Sequence, residues 1–338
     1  MNTQQLTSSP EDVVLAGEIL RSGGIVAIPT ETVYGLAGNA LDGKAVASIF
    51  AAKGRPMDNP LIVHISRLEQ LEGIVSCVPE QAVALAAEFW PGPLTIVMPK
   101  SDNIPPEVSC GLDTVAVRMP SHPVARAIID AAGVPLAAPS ANLSGSPSPT
   151  TAAHVTADMD GRIHAVLDGG ECSVGLESTV VSVCGDIPQL LRPGAVTPEM
   201  LKAVTGQLAI NHAVLDDLAE GEQAASPGMK YKHYAPTAKV TILRGSREAY
   251  ISYCNTHAGE GVYALCFEGD SEELTIPAVE YGREDDLLSQ AHGLFAALRE
   301  LDRLGARTAY ARCCAPEGVG LAVCNRLLRS AAFNVIDI

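Results

Sequence analysis

The residues best suited to chemistry stand in short polar runs, most of them directly after an apolar one. Pro29-Thr-Glu-Thr-Val-Tyr-Gly-Leu36 sets two hydroxyls, a carboxylate and the Tyr34 phenol after the apolar run Ile25–Ile28. Lys53-Gly-Arg-Pro-Met-Asp-Asn-Pro60 carries two cations two residues apart at the end of a helix-like stretch. Such a pair can hold phosphate, or it can simply complement the negative end of a helix dipole. The glycine between them lets backbone approach a ligand, and the proline stiffens the exit. His64 and Arg118 each close an apolar run, where a histidine serves either packing or a site. Ala138-Pro-Ser-Ala-Asn-Leu-Ser-Gly145, continued by Ser146-Pro-Ser-Pro-Thr150, is a plain loop or an anion cradle of hydroxyls and backbone N–H groups. Gly175-Leu-Glu-Ser-Thr-Val-Val181 and Arg192-Pro-Gly194 add one more hydroxyl cluster and one more cation. Ligands of open α/β sheets bind at strand ends, which is where these runs fall.

Familiar signatures are missing. Gly38-Asn-Ala-Leu-Asp-Gly43-Lys44-Ala45 nearly spells a P-loop but lacks the hydroxyl that would meet Mg²⁺. No clear strand runs into Gly38, so the stretch reads as a helix start. No Gly-rich dinucleotide fingerprint follows a strand, and no G-x-S-x-G elbow occurs. The nine cysteines (Cys77, Cys110, Cys172, Cys184, Cys254, Cys266, Cys313, Cys314, Cys324) contain no C-x-x-C pair. That scatter reads as buried thiols in a reducing cytosol, not as a disulfide frame or a zinc site. Any catalysis is then expected to need neither a covalent nucleophile nor a metal held by the protein.

These runs need elements to position them. Ser9-Pro10-Glu11-Asp12 reads as a helix start, and Gly23-Gly24 as its stop. Strands are expected at Ile25–Ile28, Leu61–Ile65, Leu94–Met98, Thr114–Met119, Leu136–Ala138, Ala165–Leu167 and Thr179–Val183. Helices are expected at Gly43–Lys53, Pro79–Phe89 and Pro123–Ala132. This alternation predicts an open α/β sheet covered on its faces. Residues 207–237 are mixed and end in Ser226-Pro-Gly-Met-Lys-Tyr-Lys-His-Tyr-Ala-Pro236, which is too patterned for an inert spacer. A second α/β unit follows, with strands Val240–Leu243, Val262–Phe267, Thr275–Val279 and Thr308–Ala311, and helices Arg247–Thr256, Leu287–Leu304 and Val319–Ala332. The expected domains are 8–207 and 238–338, joined by 208–237.

In this order the motifs resemble the YrdC/Sua5 family. The residues that carry the resemblance are PTETVYGL (29–36), KGRPMDNPLIVH (53–64), WPGPLT (90–95), VAVRMP (115–120), APSANLSG (138–145), ESTVV (177–181), LRPG (191–194) and SPGMKYKHYAP (226–236). The match is dense over 25–235 and thinner beyond, where placement, size and the stretch 320–327 support it. The resemblance implies a YrdC-like open twisted α/β domain plus a smaller C-terminal Rossmann-like α/β domain. It implies condensation of L-threonine, bicarbonate and ATP into L-threonylcarbamoyl-AMP with release of pyrophosphate, Mg²⁺ accompanying the ATP. The product would pass to a partner transferase complex for N6-threonylcarbamoyladenosine at position 37 of tRNAs reading ANN codons.

By the same resemblance Lys53 and Arg55 face the triphosphate and the developing charge. Thr32, His64, Arg118, Ala138 and Ser178 form the threonine side, with Arg118 meeting the carboxylate. Arg55, Asn59, Thr114, Ser140, Ser148, Arg192 and His233 form the nucleotide side. Tyr34 and Asn142 line the cavity, and 226–236, with Tyr231, His233 and Tyr234, closes over it as a lid or else merely links domains. The nucleophile in such a reaction comes from substrate, which fits the lack of an activated Ser or Cys.

Over 338 residues, 39 acidic side chains face 23 Lys and Arg, a net charge of −16. A broad RNA-binding face is therefore disfavoured, although a local cluster of Lys53, Arg55, Arg118 and Arg192 would survive. No stable tRNA binding is expected. An RNA-binding or ribosome-assembly protein and a carbamoyl-adenylate former remain the competing readings, the latter weakened by the missing C-x-x-C pairs. An apolar content of 47% excludes a disordered chain, and with 4% aromatics small aliphatics must fill the core. The chain shows no run long enough to span a bilayer and no signal-peptide pattern at its start, so a cytoplasmic setting is expected.

Overall fold

The helix Pro10–Arg21 begins where its sequence demands: the Ser9 hydroxyl accepts from the Asp12 N–H, and Pro10, Glu11 and Asp12 fill the first turn. The computed structural model describes residues 2–214 and 234–338. The same punctuation recurs along it. Asp42 caps Gly43–Lys53 and left-handed Gly54 ends it, while Thr151 caps Ala152–Met159.

Contacts divide the described residues into two units. One comprises residues up to 144, 149–173 and 177–214; the other comprises 145–148, 174–176 and 234–338. The first is built on a mixed eleven-stranded sheet. Its order is Gln4–Leu6, Ala165–Leu167, Val26–Ile28, Gly35–Asn39, Leu136–Ala138, Ile62–His64, Thr114–Arg118, Leu94–Pro99, Thr179–Ser182, Gln189–Arg192 and Ala209–Ile210.

Gly35–Asn39 corrects the expectation that no strand leads into Gly38. Its small residues hide a strand that pairs antiparallel with both neighbours. A Cβ on Gly38 would lie 3.2 Å from Ile49 Cδ1, so the helix above dictates the small side chain. The near P-loop nevertheless holds no phosphate site. The Asp42 carboxylate occupies the helix start through the Lys44 N–H at 2.9 Å, and Glu107 crowds Gly43.

The core of the first unit packs Leu20, Val26, Ile28, Ile128, Ile129, Leu136 and Leu167 together, drawing on sheet and helices alike. The second unit carries a wholly parallel sheet ordered Ala278–Glu280, Val262–Cys266, Thr308–Ala311, Lys239–Arg244 and Val335–Asp337. Helices Arg247–Thr256, Leu287–Arg303 and Gly320–Ser330 connect its strands. Tyr250 is buried in its core, and its hydroxyl donates to Tyr310 O at 2.9 Å. Among the described residues no helix is long and apolar enough to cross a membrane.

Candidate active site

Strand register assembles the site. His64 pairs with Arg118, Arg118 with Thr95, Thr95 with Val180, and Val180 with Arg192. Directly paired residues share a face, so His64, Arg118 and Thr95 form one polar row across three strands. One step back along the same face, Ile62, Ala116 and Val97 form an apolar row that packs with Val180, Leu191 and Ala213. Thr114 starts the strand that Arg118 ends, about 13 Å away on that face. A ligand touching both must cross the apolar row.

Arg118 is the hub. Its side chain is buried, lies 2.7 Å from the Glu31 carboxylate, and donates to Thr32 Oγ1 at 2.8 Å and Gly92 O at 3.3 Å. Burial opposes the Glu31 charge, but the Arg118 guanidinium prevails and holds this carboxyl below its usual range. The pair is close, and the backbone N–H groups of Glu31 and Ser121 add to the stabilisation of the carboxylate. Thr30 braces the turn, its hydroxyl donating to Val33 O at 2.6 Å and lying 2.9 Å from Thr32 Oγ1. Beside Arg118, Thr95 and Ser178 share a hydroxyl contact of 2.7 Å. Arg192 donates to Ser178 Oγ at 3.1 Å and to Ser178 O at 3.0 Å. Gly194 lets this cation approach, because a Cβ there would lie 2.4 Å from Thr179 N.

His64 is buried, its Nδ1 3.2 Å from Ile62 O. Desolvation, then the neighbouring Arg118 charge, push its pKa down to about 3, so it is neutral at physiological pH. Below the ordinary histidine value of about 6.5, the unfolded chain takes up a proton that folded His64 refuses. Stability contributed here is therefore full above that value and falls as the pH drops towards the folded pKa. The expected outcome is that His64→Gln flattens the acid limb of a stability profile by up to about one proton. An unchanged slope in urea titrations from neutral to acid pH would contradict the buried neutral state.

A second cluster gathers at the end of helix Gly43–Lys53. Lys53 is buried, and its ammonium donates to Ser140 O at 2.5 Å and Asn142 O at 2.6 Å. The Ser144 N–H returns a bond to Lys53 O at 3.0 Å, so the hydroxyl-rich loop is wrapped around this one residue. Arg55 lies 5.5 Å over the Phe50 ring and donates to the carbonyl of fully buried Asn59 at 2.5 Å. Ala138 is core, pairing with Ile62.

Tyr34, expected to line the cavity, is instead fully buried with its hydroxyl donating to Gly170 O at 2.7 Å and accepting from Gly169 N at 3.2 Å. Burial raises its pKa, and its work is to brace the 168–170 turn. Ser148 falls in the second unit by contacts. Tyr234, grouped with the lid on sequence, is buried in that unit with its ring 5.1 Å from Phe295 and 5.8 Å from the Arg326 guanidinium carbon. Tyr231 and His233, with the rest of the expected lid up to residue 233, lie outside the described residues. Thr30, Glu31 and Thr95 of this network had no assigned role on sequence. Their signal was present: a carboxylate between two threonines, and a hydroxyl inside an apolar strand.

A family model described as "Telomere recombination", covering Sua5, YciO and YrdC proteins, matches residues 18–194. A second, "Threonylcarbamoyl-AMP synthase, C-terminal domain", matches residues 196–332. The chain is 46% identical to a threonylcarbamoyl-AMP synthase of Bacillus subtilis (strain 168), over 99% of this chain and 97% of that protein. It is 44% identical to one of Pyrococcus abyssi (strain GE5 / Orsay), over 96% and 95%. The solved structure of P. abyssi Sua5 complexed with L-threonine superposes with a TM-score of 0.92 at 42% identity, covering 100% of both chains.

Proposed function

This chain belongs to the Sua5/YciO/YrdC family, and from that premise we propose that it forms L-threonylcarbamoyl-AMP from L-threonine, bicarbonate and ATP. One observation carries the reading in this chain's own residues: a buried carboxylate–guanidinium pair, 2.7 Å apart, beside the Thr32 hydroxyl. A free amino acid is itself an ammonium and a carboxylate, so it can engage both members of this pair. Its carboxylate meets Arg118, while Glu31 and the Thr32 hydroxyl receive the amine end. The relatives' shared name and the neighbour's bound L-threonine support that choice of amino acid.

The ammonium gives a proton to solvent, and the freed amine adds to CO₂ with a second proton passing to solvent, or to bicarbonate with loss of water. The resulting N-carboxylate oxygen attacks the α-phosphorus of ATP, and pyrophosphate departs with the electron pair of the broken P–O bond. No residue of the chain need become covalently attached. The protein's share is alignment of anions and neutralisation of charge. Arg192, through Ser178, and the Lys53-held loop, with Arg55, supply the positive and N–H-rich surroundings that a triphosphate requires. Mg²⁺ would travel with the nucleotide as part of the substrate. The product is an activated donor, consumed by a transferase acting on tRNA. That division of labour suits a chain of net charge −16.

The test is a single assay with ATP·Mg²⁺, labelled bicarbonate and each amino acid in turn. Pyrophosphate and an adenylate of the threonylcarbamoyl mass are expected to accumulate together, only when threonine and bicarbonate are both present. Pyrophosphate release without either would overturn the assignment.

A further inference from the structure

Cys313 and Cys314 follow the strand Thr308–Ala311, and Cys324 lies early in the helix Gly320–Ser330. Their separation in sequence hides a convergence. Cys324 Sγ lies 2.9 Å from Cys313 Sγ and 3.8 Å from Cys314 Sγ, and all three sulfurs fall within 4.8 Å of one another.

The backbone around them is held. Tyr281 is buried and donates its hydroxyl to Arg312 O at 2.6 Å, fixing the peptide just before Cys313. Arg312 is itself anchored to buried Asp270 at 3.0 Å and to Glu284. At Gly320 a Cβ would sit 2.3 Å from Ala315 O and 3.3 Å from Cys314 Sγ, so only glycine lets the helix close on the thiol loop. Cys324 is buried, while Cys313 and Cys314 are partly exposed, which leaves a route from solvent.

Packing alone gives little reason for such a cluster. A free buried cysteine behaves as a small hydrophobe, and its S–H is a weak donor. Thiolates around one cation have a reason to converge. Tetrahedral zinc with bonds of about 2.3 Å sets its sulfurs about 3.8 Å apart. The Cys314–Cys324 separation equals that value, the Cys313–Cys324 one is 0.9 Å shorter, and the third is within 4.8 Å.

We propose that Cys313, Cys314 and Cys324 form a three-thiolate site for a soft d¹⁰ cation, Zn²⁺ or Cu⁺, in the second unit. Three sulfurs complete a trigonal set for Cu⁺; Zn²⁺ would add water or another exogenous ligand as its fourth. The spacing rule that argued against a metal site fails here because the ligands come from a strand end and a helix, not from one knuckle.

The test uses the full-length, reduced protein freed of metal by chelation. One arm adds Zn²⁺, with Co²⁺ as its spectroscopic substitute; the other adds Cu⁺ anaerobically against a competing chelator. About one equivalent is expected to bind in at least one arm. Co²⁺ should give a thiolate charge-transfer band that Cys324→Ser removes. Peptide mapping after alkylation should show Cys313, Cys314 and Cys324 shielded by the cation while exposed Cys77 and Cys184 still react. That footprint needs no variant, so a folding failure of Cys324→Ser leaves the test intact. Neither cation shielding the three thiols would overturn the proposal. So would recovery of Cys313 and Cys324 joined as a disulfide after reduction and metal addition.

Discussion

Arg118→Ala is expected to lose turnover by on the order of 10²–10³-fold and to destabilise the first unit by about 3–5 kcal/mol. The two effects have separate causes. Turnover should fall because the guanidinium proposed to meet the substrate carboxylate, which also donates to the Thr32 hydroxyl at 2.8 Å, is gone. Stability falls because Glu31, 6% exposed, keeps a charge with no cation beside it. Adding Glu31→Gln removes that charge and should recover part of the stability while turnover stays low. Denaturant unfolding and adenylate formation, measured on both single variants and the double, separate the terms. If Arg118→Ala keeps more than about a tenth of turnover, the guanidinium contributes under about 1.4 kcal/mol to the transition state and the assignment of this row is wrong.

Lys53→Met should act through the hydroxyl-rich loop. Removing the ammonium deprives Ser140 O and Asn142 O of their donor, at about 1–3 kcal/mol for each acceptor left unsatisfied. The loop then loosens, and turnover is expected to fall about 10²-fold, through positioning and charge together. Lys53→Arg distinguishes the two. It keeps the charge, but a planar fork cannot replace a compact ammonium seated between two carbonyls. Low turnover in Lys53→Arg, with faster hydrogen exchange at the Ser144 amide that binds Lys53 O, would mark a positioning role. Full turnover with that amide still exchanging fast would show that charge alone matters.

Both predictions concern residues that stood out by type and that the resemblance gave a task, but whose contacts were not legible. Lys53 and Arg55 stood out as paired cations at a helix end, and the structure keeps them there, with Gly54 in the left-handed region. That Lys53 clasps carbonyls 87 and 89 residues away could not be read from its neighbours. Tyr34 belonged to the right motif, but its hydroxyl turns towards the 168–170 turn. Gly35–Asn39 was invisible as a strand because its small side chains answer to a helix packed above them.

By itself the sequence determined most of the helices, many strand positions and the residue types at the strand ends. Helix periodicity, caps and β-branched runs are local signals, settled within a few residues of where they are read. Tertiary structure alone decided which ends meet. It set His64, Arg118 and Thr95 in one row, turned Glu31 onto Arg118, and drew Cys313, Cys314 and Cys324 together. The reason is physical: strand register and the approach of distant segments depend on packing summed over many weak contacts, and no short window of sequence contains that sum.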